Sequence, residues 1–273
     1  MRKCFTINPN RSVEEIKSYE ENLVKTNIYQ GCEIFYPYLK NAQERKAYKD
    51  AVKSLMKYDN FEIVCHLPYG SEFSLATEAN ITEKMKSLKE AIDFASNFDV
   101  RKLTLHPGEL DGTLSYEDAI IHSVKYVKEL CQYAKRYKMT IMIENLVGKN
   151  ELCKTAEEII TFINKVDEPN IKVIVDCGHY NASYTDTPTE KNLESFIYAL
   201  APYIIHLHLS NNHGTSDEHG PLDKGTIDFY QYFLVLNEIG YKGLYCTEVL
   251  YKDYNDLIKT AFLMDSFKPV NVK

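Results

Sequence analysis

Eight short apolar runs punctuate the chain, and longer amphipathic stretches separate them. The runs are "KCFTIN", "CEIFYP", "FEIVCHLP", "KLTLHP", "TIMIEN", "KVIVDC", "IIHLHLS" and "GLYCTEV". Each has the length and content of a strand buried on both faces. Between them, Met85, Leu88, Ile92 and Ala95 recur at helical spacing, as do Ile120, Val124, Val127, Cys131 and Ala134. Helix starts are marked by Ser12 with Glu15, Thr155 with Glu158, and Thr187–Pro188 with Glu190. Each pair sets a hydroxyl at the cap and a carboxylate three residues later. Pro188 falls at a first helical position, where its missing N–H costs nothing. Eight strand–helix units in 273 residues predict an α/β fold, a single (β/α)8 TIM barrel over residues 1–273. A doubly wound open sheet is the competing architecture, but no GxGxxG or phosphate loop marks one. No linker or low-complexity tract divides the chain.

Composition narrows the function classes. The net charge of −7, with five arginines, argues against broad non-specific nucleic-acid binding while leaving a local basic face open. Seven cysteines form an odd set with no CxxC pair, which predicts free thiols in a reducing cytoplasm. The start "MRKCFTINPN" lacks a signal-peptide core. No run reaches the roughly 18 apolar residues of a membrane span. A cytoplasmic protein without a membrane partner is expected. Nothing in the pattern specifies an oligomer.

In such a barrel, chemistry sits at the C-terminal ends of the strands. Strands three to eight end in His66, His106, Glu144, Asp176, His208 and Glu248. The intervals are 40, 38, 32, 32 and 40 residues, one strand–helix unit each. Alternation puts Glu144 on the face of Met142, Asp176 on that of Ile174, His106 on that of Thr104 and Glu248 on that of Cys246. Six such residues in register point over the barrel mouth. The loops add His179 from "DCGHYN" and Asp217 and His219 from "SDEHG". Imidazoles and carboxylates suit zinc or manganese, and nine ligands exceed the needs of one ion. Two or three divalent ions per chain are expected. His206 lies one layer deeper on the face of His208 and is expected to orient ligands from below. It is grouped on the substrate side with Tyr69 and with His213 at a loop tip.

At these residues the sequence resembles the xylose isomerase-like barrel superfamily, which contains endonuclease IV and the sugar and sugar-phosphate isomerases and epimerases. The shared minimal site of the epimerase branch matches Glu144, Asp176, His208 and Glu248. The endonuclease IV branch is similar further out, through "HLPY", "HPG", "DCGH" and Asp217-Glu218-His219. The resemblance implies one metal on His66, His106 and a bridging Glu144. It implies a second on Glu144, Asp176, His208 and Glu248, and a third on His179, Asp217 and His219. Departures are also visible. "LSNN" follows His208 where the endonucleases carry an Asn-Asp-Ser-Lys run, and "FYPYLK" lacks their arginine. "GPLDKGTIDF" looks like the epimerase branch, although Asn211 stands where an aspartate is common.

Two chemistries compete. A metal-dependent sugar or sugar-phosphate isomerase or epimerase would move a proton through a metal-stabilised enediolate, with Glu144 and Glu248 as the catalytic pair. An endonuclease IV-like phosphodiesterase, acting at an apurinic or apyrimidinic site in DNA, would use all nine ligands at a trinuclear zinc site. Tyr69 would then pack on a flipped-out sugar. The ligand count favours phosphoester hydrolysis. The acidity, scarce arginines and loop text favour a small sugar-like substrate. Isomerisation or epimerisation is the preferred expectation, with DNA a partner only under the alternative.

Overall fold

Each expected apolar run forms a strand. The computed structural model describes residues 1–183 and 192–268. Its strands are β1 (Arg2–Ile7), β2 (Gly31–Phe35), β3 (Glu62–His66), β4 (Lys102–Leu105), β5 (Thr140–Glu144), β6 (Ile171–Asp176), β7 (Ile204–Leu209) and β8 (Leu244–Thr247). Every strand runs parallel to its neighbours, and β8 returns to β1 with Cys246 beside Cys4. The sheet is a closed (β/α)8 barrel, which excludes the open-sheet alternative.

The helices cover the outside. They are α1 (Val13–Tyr19), α2 (Ala42–Lys53), α3 (Ile81–Ala95), α4 (Tyr116–Lys135), α5 (Ala156–Val166), α6 (Cys177–Ala182), α7 (Leu193–Leu200), α8 (Phe229–Glu238) and α9 (Tyr254–Ser266). The predicted stripes face the sheet: α3 buries Met85, Leu88, Ile92 and Ala95, and α4 buries Ile120, Val127, Cys131 and Ala134. Ser12 and Thr155 cap α1 and α5 with reciprocal Glu15 and Glu158 bonds. The expected start at Thr187, Pro188 and Glu190 lies outside the described residues. Helix α7 begins after Asn192, whose side chain accepts the Ser195 N–H at 2.9 Å. The short α6 was not anticipated, and Asp176 at the end of β6 caps it.

Two layers of apolar packing result. Outside the sheet, helices and strands share one continuous core. Inside it, Cys4, Val64, Met142, Ile174, Leu244 and Cys246 fill the barrel. Burial of side chains such as Met142 and Ile174 stabilises by about 1.5–3 kcal/mol each. At the N-terminal end, Glu62 joins Arg2 at 3.0 Å and Lys102 at 2.7 Å, tying β3 to β1 and β4. The plugged interior leaves the C-terminal mouth for polar residues. All seven cysteines are buried and unpaired. Among the described residues, no helix is long and apolar enough to cross a membrane.

Candidate metal centre

Strand register assembles the mouth. Asp176 pairs with His208 across β6 and β7, after a register shift at Val173/Ile174 that brings His206 opposite Ile174. His66 ends β3, Glu144 ends β5, and His106 and Glu248 directly follow β4 and β8. Gly108 shapes the turn after His106. Its φ is +124°, and a Cβ there would stand 2.8 Å from the Ala76 nitrogen. Glycine is required at that close approach.

Asp217 and His219 arrive on a loop that folds back on the end of β7. Asn211 and Gly220 exchange backbone bonds at 3.0 and 2.9 Å. The Asn211 side chain donates to the Leu222 carbonyl at 2.8 Å and accepts from the Ile227 N–H at 3.1 Å. An aspartate could not make the first bond, which accounts for asparagine here. His219 takes a left-handed φ of 45°.

All nine predicted ligands converge in three groups. His66, His106 and Glu144 form one; Glu144, Asp176, His208 and Glu248 a second; His179, Asp217 and His219 a third. Within each group, one donor atom per residue lies within 4.8 Å of the others. Glu144 faces two groups at once. Its Oε1 is 3.0 Å from His208 Nδ1, and its Oε2 is 3.2 Å from His106 Nε2 and 3.5 Å from His66 Nε2. His208 Nδ1 is also 2.9 Å from Glu248 Oε2, and His219 Nε2 is 2.9 Å from Asp217 Oδ2. Glu144 Oε2 and Asp176 Oδ2 are buried without a hydrogen-bond partner. Orphaned carboxylate oxygens among imidazoles fit divalent cations, since buried polar atoms otherwise find partners.

The electrostatics match a site built for positive charge. Burial alone would push the Glu144 carboxyl up, but His208, His106 and His66 hold it well below the carboxylate range. Burial and the neighbouring Glu144 and Glu248 raise Asp176 to about 6, against the pull of His179. Burial would lower His219, yet Asp217 and Glu248 bring it to about 9. Crowded buried groups with displaced acidities are a signature of functional sites.

A family model described as xylose isomerase-like TIM barrel matches residues 22–264. The chain belongs to that family. Among curated relatives, an uncharacterized protein of Methanocaldococcus jannaschii is 27% identical over 214 residues, 76% of this chain and 70% of that one. A probable endonuclease 4 of Mycoplasmopsis pulmonis is 28% identical over 173 residues, 61% of each. The fructoselysine 3-epimerase of Escherichia coli O157:H7 is 25% identical over 211 residues, 74% of this chain and 73% of the enzyme. The solved structure of a D-tagatose 3-epimerase-like protein superposes with a TM-score of 0.78 at 23% identity, over 98% of this chain and 97% of that one. At that identity it supports the fold alone. Relatives of both chemistries make an enzyme the coarse conclusion.

In this xylose isomerase-like barrel, histidine orientation is fixed from behind. His66 Nδ1 lies 2.7 Å from the Leu67 carbonyl, His179 Nδ1 2.9 Å from that of Asn145, and His219 Nδ1 2.8 Å from that of Glu248. A carbonyl can only accept, so each ring donates an Nδ1 proton to it and turns Nε2 toward the site. Phe35 stacks on His66 with centroids 4.8 Å apart. Tyr69 is half-exposed beside His66 and His106, at the edge of a cleft of ≈ 520 Å³ that opens over Glu144, His179, Asp217, His219 and Glu248.

Two residues grouped on the substrate side lie outside the cleft. His206 is fully buried and its Nε2 faces Glu33 Oε2 at 2.9 Å, the deeper, supporting place expected for it. His213 is exposed and bonds to Glu218 at 2.9 Å, and it does not line the cleft. Two supporting residues were missed. Asn145 bridges the ends of β5 and β6, and Glu33 stands in the middle of β2 beneath His208.

Proposed function

We propose that this barrel is a multinuclear metal-dependent phosphodiesterase whose substrate carries a sugar beside the scissile phosphate, as an abasic site in DNA does. The division of Glu144 between two ligand groups carries the reading. A carboxylate that shuttles a carbon-bound proton needs an oxygen free to face that carbon. Here the side chain is fully buried and neither oxygen faces open space: Oε1 lies against His208 and His179, and the unbonded Oε2 against His66 and His106. A carboxylate so shared is suited to bridging ions. Divalent cations, zinc or manganese by donor type, would supply ionised water and positive charge beside the phosphoryl oxygens.

The protein's own groups have distinct tasks. His66 and His106 would hold one ion with Glu144. Asp176, His208 and Glu248 would hold a second with the same carboxylate, and His179, Asp217 and His219 a third. Tyr69, at the cleft edge, offers an aromatic face to a sugar drawn toward the ligands.

Isomerisation or epimerisation of a small sugar is the second reading. Glu248 favours it, because its side chain lines the cleft and is 16% exposed, open to a substrate carbon. Side-by-side assays decide. Nicking of an abasic-site duplex should be chelator-sensitive and fall at least about 100-fold in Glu144→Gln. No cleavage of that duplex or of simple diesters would remove the phosphodiesterase. Proton exchange of a ketose in deuterated water, lost in Glu144→Gln and Glu248→Gln, would install the second reading.

A further inference from the structure

Among the described residues, one fully buried carboxylate in the barrel interior stands apart from the nine residues of the mouth. Glu33 is fully buried in the middle of β2. Its Oε1 accepts the Thr104 hydroxyl at 2.6 Å. Its Oε2 is 2.9 Å from His206 Nε2 and 2.8 Å from His208 Nε2. Both imidazoles donate to it, since an ionised carboxylate only accepts. Three donors thus satisfy two oxygens. His206 Nδ1 has no hydrogen-bond partner, so the bond to Glu33 is the ring's one anchor.

His208 departs from the pattern of the other anchored ligands. His66, His179 and His219 donate from Nδ1 to backbone carbonyls. His208 donates from Nε2 to a side chain, and its Nδ1 turns to Glu144, Glu248 and Asp176 at 3.0, 2.9 and 3.7 Å. We propose that Glu33 is a positioning residue of the metal centre, fixing His208 in the Nε2–H form so that Nδ1 meets the ion held with Glu144, Asp176 and Glu248. This inference rests on the metal reading above. Glu33, His206, His208 and Cys246 also converge closely enough to hold an ion themselves. The two N–H donors already on Glu33 Oε2 account for that group, and burial keeps the Cys246 thiol protonated.

The test uses the full-length protein loaded with zinc. Long-range proton–nitrogen spectra should show His208 metallated at Nδ1 and protonated at Nε2. Competition with a chromophoric chelator should show one zinc ion weakened about 10- to 100-fold in Glu33→Ala, the others unchanged. Glu33→Gln keeps an acceptor oxygen and should restore most of that affinity. His208 metallated at Nε2 overturns the proposal. So does wild-type zinc affinity in Glu33→Ala, or a uniform loss at every ion. If Glu33→Ala does not fold, the wild-type spectrum decides alone. A wild-type protein that binds no zinc removes the metal reading itself, and this inference with it.

Discussion

Asn145 closes a two-bond ring on the backbone of Asp176: its amide donates to the Asp176 carbonyl at 2.8 Å, and its side-chain oxygen accepts the Asp176 N–H at 2.9 Å. The Asn145 carbonyl in turn faces His179 Nδ1 at 2.9 Å. One residue next to Glu144 therefore sets the positions of Asp176 and His179. Asn145→Ala leaves the buried Asp176 N–H unpaired, while its carbonyl keeps the first helical bond of α6, at a cost of about 1–3 kcal/mol. Urea unfolding measures it, and a loss under about 0.5 kcal/mol would contradict the role.

Metal content follows from the three ligand groups. Elemental analysis should find about two or three zinc or manganese ions per chain. Ligand that binds only the folded state stabilises it by about 2.7 kcal/mol at 100 times Kd. Thermal melts should shift downward on chelation and recover on adding metal. Stripped protein that gains nothing from either ion would sink the metal reading.

Asn211→Asp tests the loop that carries Asp217 and His219. The carboxylate cannot donate to the Leu222 carbonyl and repels it at 2.8 Å. The expected cost is about 1–3 kcal/mol. One ion should also be held more weakly while the others keep their affinity. Unchanged unfolding and unchanged zinc titration would show that the amide is dispensable.

Acid sensitivity has a source far from the mouth. Burial opposes ionisation of Glu62, but Lys102 and Arg2 outweigh it and lower its pKa from the ordinary 4.5. A depressed carboxylate stabilises the fold above its unfolded pKa and loses that contribution as the pH falls through its folded one. Glu62→Gln should cost about 1 kcal/mol at pH 7, allowing for partial exposure. The gap from wild type should narrow as the pH falls below the ordinary 4.5 and close as it passes the lowered pKa of Glu62 in the fold. A gap that stays constant to pH 3 would refute the assignment.

Much of this centre is legible in the sequence because a barrel strand has two faces and one functional end. His66, Glu144, Asp176 and Glu248 announce themselves as polar residues closing apolar runs. Glu33 does not, because it stands mid-strand in "GCEIF", two residues short of the strand end. Its signal is a lone carboxylate in a buried run, tolerated only with partners. Those partners come from β4 and β7, remote in sequence. Alternation along β7 sets His206 one layer below His208, as expected, but its partner Glu33 comes from β2 and leaves no trace in that strand. Asn145 bonds to the backbone of another strand and so leaves no residue pattern.

The pairing of β1 with β8 gives the chain a birth order problem. The first strand made is the last to find its neighbour, since Cys4 waits for Cys246. At about 5–20 residues per second, a ribosome takes roughly 10–50 s to cover that distance. Until β8 is made, the chain carries an open sheet edge, although His66, His106 and Glu144 are all in place once residue 144 is made. Glu248 emerges only with the closing strand. The nine residues of the mouth therefore come together only when β8 closes the barrel.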